Sequence, residues 1–339
     1  MIIENVLYNN VDDVIKTPQG IRLLRYPQNV IEKINPHARH MARYACNIEI
    51  RFVTEAPTCF VSLLSESDAG DVTIYYGDYA LEKIVLEKGK ITRLTLSVPA
   101  KISNLESDFY KNNLYKMGVW RLHLHGSVMT VCDIDTQGYS IRPPKAEEMP
   151  ERTMLSYGSS ISHGAGSFYS PLTYVNTLAK LLKVNCLAKG TGGSCFAEKE
   201  VADAFAARND WDFALLEIGV NMSESGIFTV EEFKKRFTYF ADKMYSTGKK
   251  LIFVTIYPHS ELYRNYDGKR SDEYNNILAY NEIIREKVKE FDKEQVILIE
   301  GKEVLNTTEL LSADGIHPST EGHIIMGNNL YNLVKGFLG

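Results

Sequence analysis

Two short stretches, far apart in the chain, carry the residue types of nucleophilic catalysis. Ser160 follows an apolar run at Met154 and Leu155, and it precedes a helical pattern. That order predicts a strand, a turn that exposes the serine, and a helix whose free N–H groups face the serine. Near the C-terminus, Asp314 stands three residues before His317. On a turn, this spacing lets the carboxylate accept from one imidazole nitrogen while the other nitrogen faces a serine.

Four sequence blocks in a fixed order carry a family resemblance. They are Gly158-Ser159-Ser160-Ile161-Ser162, Gly190-Thr191-Gly192-Gly193, Gly219-Val220-Asn221 and Asp314-Gly315-Ile316-His317-Pro318. Taken together, the blocks resemble those of the SGNH, or GDSL-like, hydrolase superfamily. The resemblance extends from about Met154 to the C-terminus.

The resemblance implies a role for each matching residue. Ser160 is then the nucleophile, His317 the general base and Asp314 the carboxylate that orients the base. The backbone N–H groups of Ser160 and Gly193 and the side-chain amide of Asn221 would form an oxyanion hole. A site of this kind needs neither a metal nor a cofactor, and we expect none.

Two residues depart from the family pattern. Ser159 stands where the first block usually has Asp, a variant associated with carbohydrate esterases of the family. Met222 stands where the third block usually continues to Asp, a residue that generally supports the loop without touching substrate. Ser160, Asn221 and His317 match the pattern.

The chain up to about Ile141 alternates apolar and polar residues with period two. The clearest runs are 22–26, 46–52, 59–63, 72–76, 91–96 and 120–125. Many short alternating strands predict an antiparallel sandwich, and a jelly roll is the specific form we expect. The polar, proline-rich stretch 143–150 marks a domain boundary. We therefore expect a jelly-roll-like β sandwich over 1–145, a linker over 146–152 and a hydrolase domain over 153–339.

After this boundary the hydrophobic period alternates between two and 3.6. The pattern predicts strands over 153–157, 184–188, 213–218, 251–256 and 296–299, and helices over 172–182, 196–207, 230–245, 273–291 and 320–337. Five such units predict a flavodoxin-like, doubly wound α/β domain with a parallel five-stranded sheet. The four blocks follow the first, second, third and fifth strands. The topology therefore brings the candidate site residues to one edge of the sheet, independently of the resemblance.

Composition and charge exclude several classes of partner. The 339 residues are 44% hydrophobic and 24% charged, and the formal net charge is -5. A chain of this kind lacks the basic surface that binds nucleic acid or an anionic membrane, so we expect neither partner. No stretch approaches the ~20 apolar residues that span a bilayer, and the N-terminus has no leader pattern. Five scattered cysteines indicate reduced thiols, and these features together predict a cytoplasmic protein, with homo-oligomerisation left open.

Other interpretations of the same stretches stay open. Ser160 could be an ordinary N-cap serine, and the glycine run from Gly190 to Gly193 could bind a phosphate. His163 lies close to the nucleophile and is the main rival for the base. We also retain His163 as a candidate substrate contact.

Two histidines of the N-terminal part could bind a metal. His123 and His125 lie two residues apart on a predicted strand and could act together with His37 or His40. Spacing identifies no third ligand, so we expect the pair on the polar outer face of a sheet.

The connection after the fourth strand, 257–276, is rich in aromatic and polar residues. It leaves the sheet at the catalytic edge, so Tyr263 or Tyr266 could stack on a sugar ring of the substrate. The alternative is a solvated connection whose tyrosines pack on the sheet.

The sequence thus predicts a serine esterase that hydrolyses short-chain acyl esters, with acetyl the expected acyl group. The expected substrate is a small-molecule or oligosaccharide ester, such as an acetylated xylo-oligosaccharide, because a sandwich followed by this hydrolase domain resembles the two-domain carbohydrate esterases. Two alternatives remain. One is a general short-chain acyl esterase or thioesterase without sugar preference, and the other is a non-catalytic carbohydrate-binding protein on the same fold.

Overall fold

The computed structural model describes residues 1–103, 105–224 and 226–339. Its contacts divide the chain into two compact units. The first consists of Met1–Gln28 and Ala42–Glu151, and the second of Asn29–Met41 and Arg152–Gly339. The division differs from the predicted one, because the segment Asn29–Met41 belongs to the C-terminal unit. The stretch predicted as a linker falls largely in the first unit and contains a 3-10 turn at Ala146–Glu148.

Two antiparallel sheets build the first unit. Its strands are β1 (Ile2–Ile3), β2 (Val6–Asn9), β3 (Asp13–Thr17), β4 (Gly20–Leu24), β5 (Ile48–Thr54), β6 (Thr58–Ser65), β7 (Gly70–Tyr76), β8 (Tyr79–Leu86), β9 (Ile91–Ser97), β10 (Val119–His125), β11 (Met129–Asp135) and β12 (Ile141–Arg142). The seven-stranded sheet has the order β1-β2-β5-β10-β7-β8, with β12 also paired to β5. The five-stranded sheet has the order β3-β4-β11-β6-β9.

One apolar core joins the two sheets of the first unit. Ile50 and Phe52 of β5 and Val61 and Leu63 of β6 are fully buried in the same cluster. These residues alternate along their strands, as the period of two predicts for a sheet with one face on the core. The predicted β sandwich is confirmed.

The environment of His123, on the other face of the seven-stranded sheet, differs from the predicted one. His123 is 3% exposed, and its Nδ1 lies 3.7 Å from Oε1 of Glu49. The Glu49 carboxylate also accepts from Arg51 at 2.6 Å and from Arg121 at 2.5 Å, and the Arg121 guanidinium lies 3.6 Å from the centre of the Tyr115 ring. Mutual pairing lets these charges be buried, so His123 belongs to an internal ionic cluster and not to a solvated face.

A parallel five-stranded sheet forms the centre of the second unit, as predicted. Its strands are β13 (Thr153–Tyr157), β14 (Asn185–Ala188), β15 (Phe213–Glu217), β16 (Lys250–Val254) and β17 (Val296–Ile299). The strand order is β14-β13-β15-β16-β17, and every pairing is parallel. Since β13 lies between β14 and β15, the segments that follow these three strands meet at one edge of the sheet.

Eleven helices lie in the described part of the chain. They are α1 (Gln28–Ile31), α2 (Pro36–Met41), α3 (Ser107–Tyr110), α4 (Ser160–His163), α5 (Tyr174–Leu182), α6 (Lys199–Ala206), α7 (Val220–Glu224), α8 (Val230–Tyr245), α9 (Asp272–Lys289), α10 (Gly301–Val304) and α11 (Thr320–Leu338). Hydroxyl N-caps begin the longer helices of the second unit: Thr229 caps α8, Ser271 caps α9 and Ser319 caps α11. The face of α8 that carries Phe233 and Phe237 is buried, as its period of 3.6 predicts.

None of the helices in the described residues is long and apolar enough to cross a bilayer. All five cysteines are free thiols, and four of them are buried. Within residues 1–103, 105–224 and 226–339, no group of three or more His, Cys, Asp or Glu side chains is placed to hold a metal ion.

Candidate active site

Ser160 occupies the turn between β13 and α4. Ser159 is the N-cap, and its Oγ accepts from the N–H of Ile161 at 3.1 Å, so Ser160 is the first residue of the helix. The preceding Gly158 has no room for a side chain, because a Cβ there would lie 2.5 Å from Oε2 of Glu217. The turn therefore presents a half-buried Ser160 at the carboxyl end of the strand.

His317 and Asp314 reach Ser160 from the C-terminal end of the chain. The Nε2 atom of His317 lies 2.7 Å from Oγ of Ser160, and its Nδ1 lies 2.7 Å from Oδ2 of Asp314. An ionised carboxylate can only accept, so Nδ1 carries the hydrogen and Nε2 offers its lone pair to the serine hydroxyl. The three side chains form a hydrogen-bonded chain of the kind that can activate a serine nucleophile.

The turn that carries Asp314 keeps this carboxylate ionised. Its Oδ1 accepts from the N–H groups of Ile316 and His317, both at 2.9 Å, and from the hydroxyl of Ser312 at 3.0 Å. Partial burial favours the neutral acid, but these bonds and the one from the His317 ring outweigh it and lower the pKa of Asp314. A charged Asp314 can stabilise an imidazolium at His317, should that ring take a proton.

Two backbone N–H groups beside the nucleophile are available to a ligand. Among the described residues, neither the N–H of Ser160 nor that of Gly193 donates a hydrogen bond. The loop that carries Gly193 runs against Ser160, since a Cβ on Gly192 would lie 3.3 Å from Cβ of Ser160. Gly193 has a φ of +65°, a conformation that favours glycine. Both groups can serve as oxyanion donors.

Asn221 follows β15 on helix α7 and is buried. Its Oδ1 accepts from the N–H of Cys195 at 3.2 Å, which ties it to the loop two residues after Gly193. Because Oδ1 accepts this bond, the NH2 group of the Asn221 amide is the end that can donate to a ligand. Met222 is fully buried. Apolar packing thus occupies the position where the family pattern has Asp.

Glu217 is a buried carboxyl group beneath the turn of Ser160, and sequence analysis did not identify it. It is 1% exposed, and its Oε2 accepts from the N–H of Ser159 at 2.9 Å, from Oγ of Ser159 at 2.8 Å and from Oγ of Ser162 at 3.1 Å. Burial raises the pKa of Glu217 to about 7, although the hydrogen bonds act in the opposite direction. The available signal was a charged residue at the end of the otherwise apolar strand Phe213–Glu217.

Tyr263 and Tyr266 lie on the connection that follows β16. The N–H of Ser260 donates to the carbonyl of Gly315 at 2.8 Å, so the connection contacts the turn between Asp314 and His317. Tyr263 is 65% exposed and Tyr266 is 50% exposed. Both side chains are therefore largely open to solvent, and their contact with a sugar stays a prediction.

His163 lies at the end of α4, three residues after the nucleophile. It is 7% exposed, and its backbone N packs against Gly190. The ring that bonds Oγ of Ser160 belongs to His317 and not to His163. A substrate contact by His163 stays a prediction.

Comparison with known sequences identifies a family for the C-terminal unit. The model of the GDSL-like lipase/acylhydrolase family matches residues 151–334. A multidomain esterase from Ruminococcus flavefaciens is 30% identical over 129 residues, a stretch that spans 38% of this chain and 16% of that protein.

Several solved structures share the fold of the whole chain. A salicylyl-acyltransferase from a tetracycline biosynthetic pathway has a TM-score of 0.78 and 13% identity, covering 98% of this chain and 95% of that one. A family two carbohydrate esterase from Clostridium thermocellum, solved with cellohexaose, has a TM-score of 0.64 and 14% identity, covering 98% and 99%. An acetyl xylan esterase from Butyrivibrio proteoclasticus has a TM-score of 0.59 and 12% identity, covering 100% and 96%.

The matched segment, residues 151–334, is more than half of the chain and contains Ser160, Gly193, Asn221, Asp314 and His317. At the low identities of the solved structures, those comparisons bear on the fold alone. The match to the family carries the assignment: the chain belongs to the GDSL-like lipase/acylhydrolase family of the SGNH superfamily.

Proposed function

We propose that the protein is a serine esterase in which Ser160 is the nucleophile, His317 the general base and Asp314 the residue that orients His317. One observation carries the proposal, the continuous hydrogen-bonded chain from Asp314 through both ring nitrogens of His317 to Oγ of Ser160, with 2.7 Å at each link. The hydrogen bond between His317 and Ser160 joins residues that are 157 positions apart in the sequence. A lone N-cap serine needs no such arrangement.

The reaction proceeds in two steps through an acyl-enzyme. Oγ of Ser160 attacks the ester carbonyl while Nε2 of His317 takes its proton, and the negative charge on the carbonyl oxygen is stabilised by the N–H groups of Ser160 and Gly193 and the amide of Asn221. The attack forms a tetrahedral intermediate. When it collapses, the ester bond breaks and His317 returns the proton to the leaving alcohol. Water then attacks the acyl-enzyme with the same proton transfers, releasing the acid and restoring Ser160.

The proposed substrate is a short-chain acyl ester of a carbohydrate, with acetyl as the acyl group. Two structural relatives that match the whole chain are esterases of carbohydrates, one bound to cellohexaose and one acting on acetyl xylan. Tyr263 and Tyr266 are exposed aromatic rings on the connection whose Ser260 contacts the turn between Asp314 and His317, and such rings can stack on sugars. Acetylated xylo-oligosaccharides are therefore the substrates to test first.

Hydrolysis of p-nitrophenyl acetate by the wild type and by Ser160→Ala, at neutral pH with a chelator present, tests the mechanism. We expect wild-type turnover that the chelator does not change and that the substitution abolishes. Turnover that survives Ser160→Ala, or that the chelator removes, would exclude this mechanism. A comparison of an acetylated xylo-oligosaccharide with an acyl-CoA then tests the substrate class, and a higher kcat/KM for the acyl-CoA would favour a thioesterase.

Transfer of the acyl group to an alcohol instead of water uses the same acyl-enzyme. The likeness to a salicylyl-acyltransferase makes this alternative worth measuring, although a likeness at 13% identity concerns the fold. The product distribution of an acetyl ester with added xylose distinguishes the two reactions. Acetate as the main product supports hydrolysis, whereas acetylated xylose as the main product supports transfer.

A further inference from the structure

The segment Asn29–Met41 belongs to the catalytic unit although it lies more than a hundred residues before it in sequence. Asn35 fixes it to the loop that follows Gly193. The backbone N–H of Asn35 donates to Oε1 of Glu198 at 2.6 Å, and its Nδ2 donates to the same oxygen at 3.1 Å and to the carbonyl of Ser194 at 3.2 Å. Glu198 is itself buried. The segment is therefore held against one of the loops of the active site.

Helix α2 turns one face towards the glycine loop. His37 and Met41 are four residues apart and so lie on the same face. A Cβ on Gly193 would lie 3.2 Å from Nε2 of His37, and a Cβ on Gly192 would lie 3.4 Å from Cε of Met41 and 3.3 Å from Cβ of Ser160. The imidazole of His37 thus borders the residue whose N–H is a proposed oxyanion donor.

The polar atoms of His37 are available to a ligand. In the part of the chain that the structure describes, the ring makes no hydrogen bond or ion pair, and the residue is exposed. Its Nε2 is nonetheless directed at the Gly193 loop. A neutral imidazole can donate at one nitrogen and accept at the other, which suits a hydroxyl group, since a hydroxyl also does both.

We propose that His37 is a specificity-determining residue that hydrogen-bonds, through Nε2, a hydroxyl group next to the ester in a polyhydroxylated substrate. The inference rests on the proposed esterase function, because it takes the ester to lie on Ser160 beside Gly193. Three donors are already available to the carbonyl oxygen, so His37 acts on the alcohol portion and not on the oxyanion. It improves binding of polyol esters over esters of simple alcohols or phenols.

A cavity of about 580 Å³ beside the same segment does not change this assignment. Its lining includes Asn35, Arg39, Phe196, Glu198 and Arg236, but neither Ser160 nor His317. It is therefore not the place where the ester reacts. His37 is not among the lining residues of this cavity, and its Nε2 lies beside Gly193.

Three single variants test the role of His37. His37→Ala removes the imidazole, and His37→Gln keeps an amide nitrogen near the position of Nε2. His40→Ala is the matched control, because His40 lies on the same helix but no atom of it is within 4 Å of a Cβ placed on Gly193. Each variant is assayed with an acetylated xylo-oligosaccharide and with p-nitrophenyl acetate.

We expect His37→Ala to raise KM for the oligosaccharide ester about tenfold, which is the value of one hydrogen bond, with kcat and the p-nitrophenyl acetate kinetics unchanged. His37→Gln should recover most of the loss, and His40→Ala should behave as the wild type. Equal losses on both esters, an unchanged KM for the oligosaccharide, or failure of the glutamine variant to recover binding would each overturn the proposal.

Calorimetric binding of the same acetylated oligosaccharide to Ser160→Ala, with and without His37→Ala, separates this inference from the proposed function. A tenfold weaker affinity in the double variant supports the contact even if the wild type shows no turnover. Equal affinities, or no binding to Ser160→Ala, overturn it even if the esterase mechanism holds.

Discussion

Replacement of Glu217 by Gln should change how the stability of the catalytic unit depends on pH. The glutamine oxygen can still accept from Ser159 and Ser162, so the packing beneath the nucleophile turn is kept. What disappears is the titration of a buried acid. Burial raises the pKa values of Tyr174, Cys195 and Tyr257, and the nearby Glu217 carboxylate raises them further, so all three face Glu217 as neutral groups.

The size of the effect follows from the pKa of Glu217. Burial raises this pKa from 4.5 to about 7 in the folded protein. Because the folded-state pKa is the higher one, the stabilisation by the neutral acid is fully present below pH 4.5 and is lost as the pH rises through about 7. The free energy of unfolding of the wild type should therefore fall by about 3 kcal/mol relative to Glu217→Gln over this window.

Guanidinium unfolding between pH 4.5 and 8 measures this difference. The chain has two tryptophans, Trp120 and Trp211, and Trp211 lies in the catalytic unit. Trp120→Phe in every background leaves Trp211 as the fluorescent reporter of that unit. Glu294→Gln, at an exposed carboxylate, is the control for loss of a charge without burial.

We expect the free energy of unfolding of Glu217→Gln to rise relative to that of its parent as the pH rises. The free energy of unfolding of the Glu294→Gln control should run parallel to that of the parent over the same pH range. A difference between Glu217→Gln and its parent that is constant from pH 4.5 to 8 would refute the reasoning. It would mean that hydrogen bonds to Glu217 compensate burial fully and that the carboxyl group titrates normally.

Four further substitutions probe the site by kinetics. Asn221→Ala should lower kcat on p-nitrophenyl acetate on the order of a hundredfold, and near-full turnover would remove its amide from the oxyanion hole. Asp314→Asn should lower kcat by on the order of a thousandfold or more, because His317 loses its orienting charge, and a small change would assign that task to another group. Gly193→Ala should lose activity for two reasons: the φ of +65° disfavours alanine, and the new Cβ would lie 3.2 Å from Nε2 of His37. Adding His37→Ala should restore part of the activity. If it restores none, the loss comes from the backbone alone. Tyr263→Ala should slow hydrolysis of oligosaccharide esters but not of p-nitrophenyl acetate, and unchanged rates on both would exclude Tyr263 from the substrate site.

The elements of the second unit were largely predictable because their sequence patterns are local. Parallel strands buried on both faces are continuous apolar runs, so β13 and β17 coincide with their predicted ranges, as does the amphipathic helix α8. The residues Ser160, Asn221 and His317 each follow a strand end, and a parallel sheet brings strand ends together whatever the intervening sequence. The meeting of these residues at one edge of the sheet could thus be predicted before any distance was known.

The parts that were missed depend on contacts between distant residues. Membership of Asn29–Met41 in the catalytic unit rests on Asn35 meeting Ser194 and Glu198 some 160 positions later, and no periodicity encodes that pairing. His123 was expected on a solvated face because period two separates two faces of a strand but does not say what covers each one. The structure shows His123 buried beside the paired charges of Glu49, Arg51 and Arg121 on the neighbouring positions of β5 and β10.

The departure at Ser159 has a structural explanation in Glu217. Where the family pattern puts a carboxylate directly before the nucleophile, this chain puts a hydroxyl that bonds a carboxylate from β15. The hydroxyl of Ser159 donates its hydrogen to Glu217. A lone pair of the same oxygen accepts from the N–H of Ile161, and this bond caps the start of α4. The helix is then capped without using the N–H of Ser160, which stays available to an oxyanion. The carboxylate that bonds this turn therefore comes from the end of β15, where burial raises its pKa.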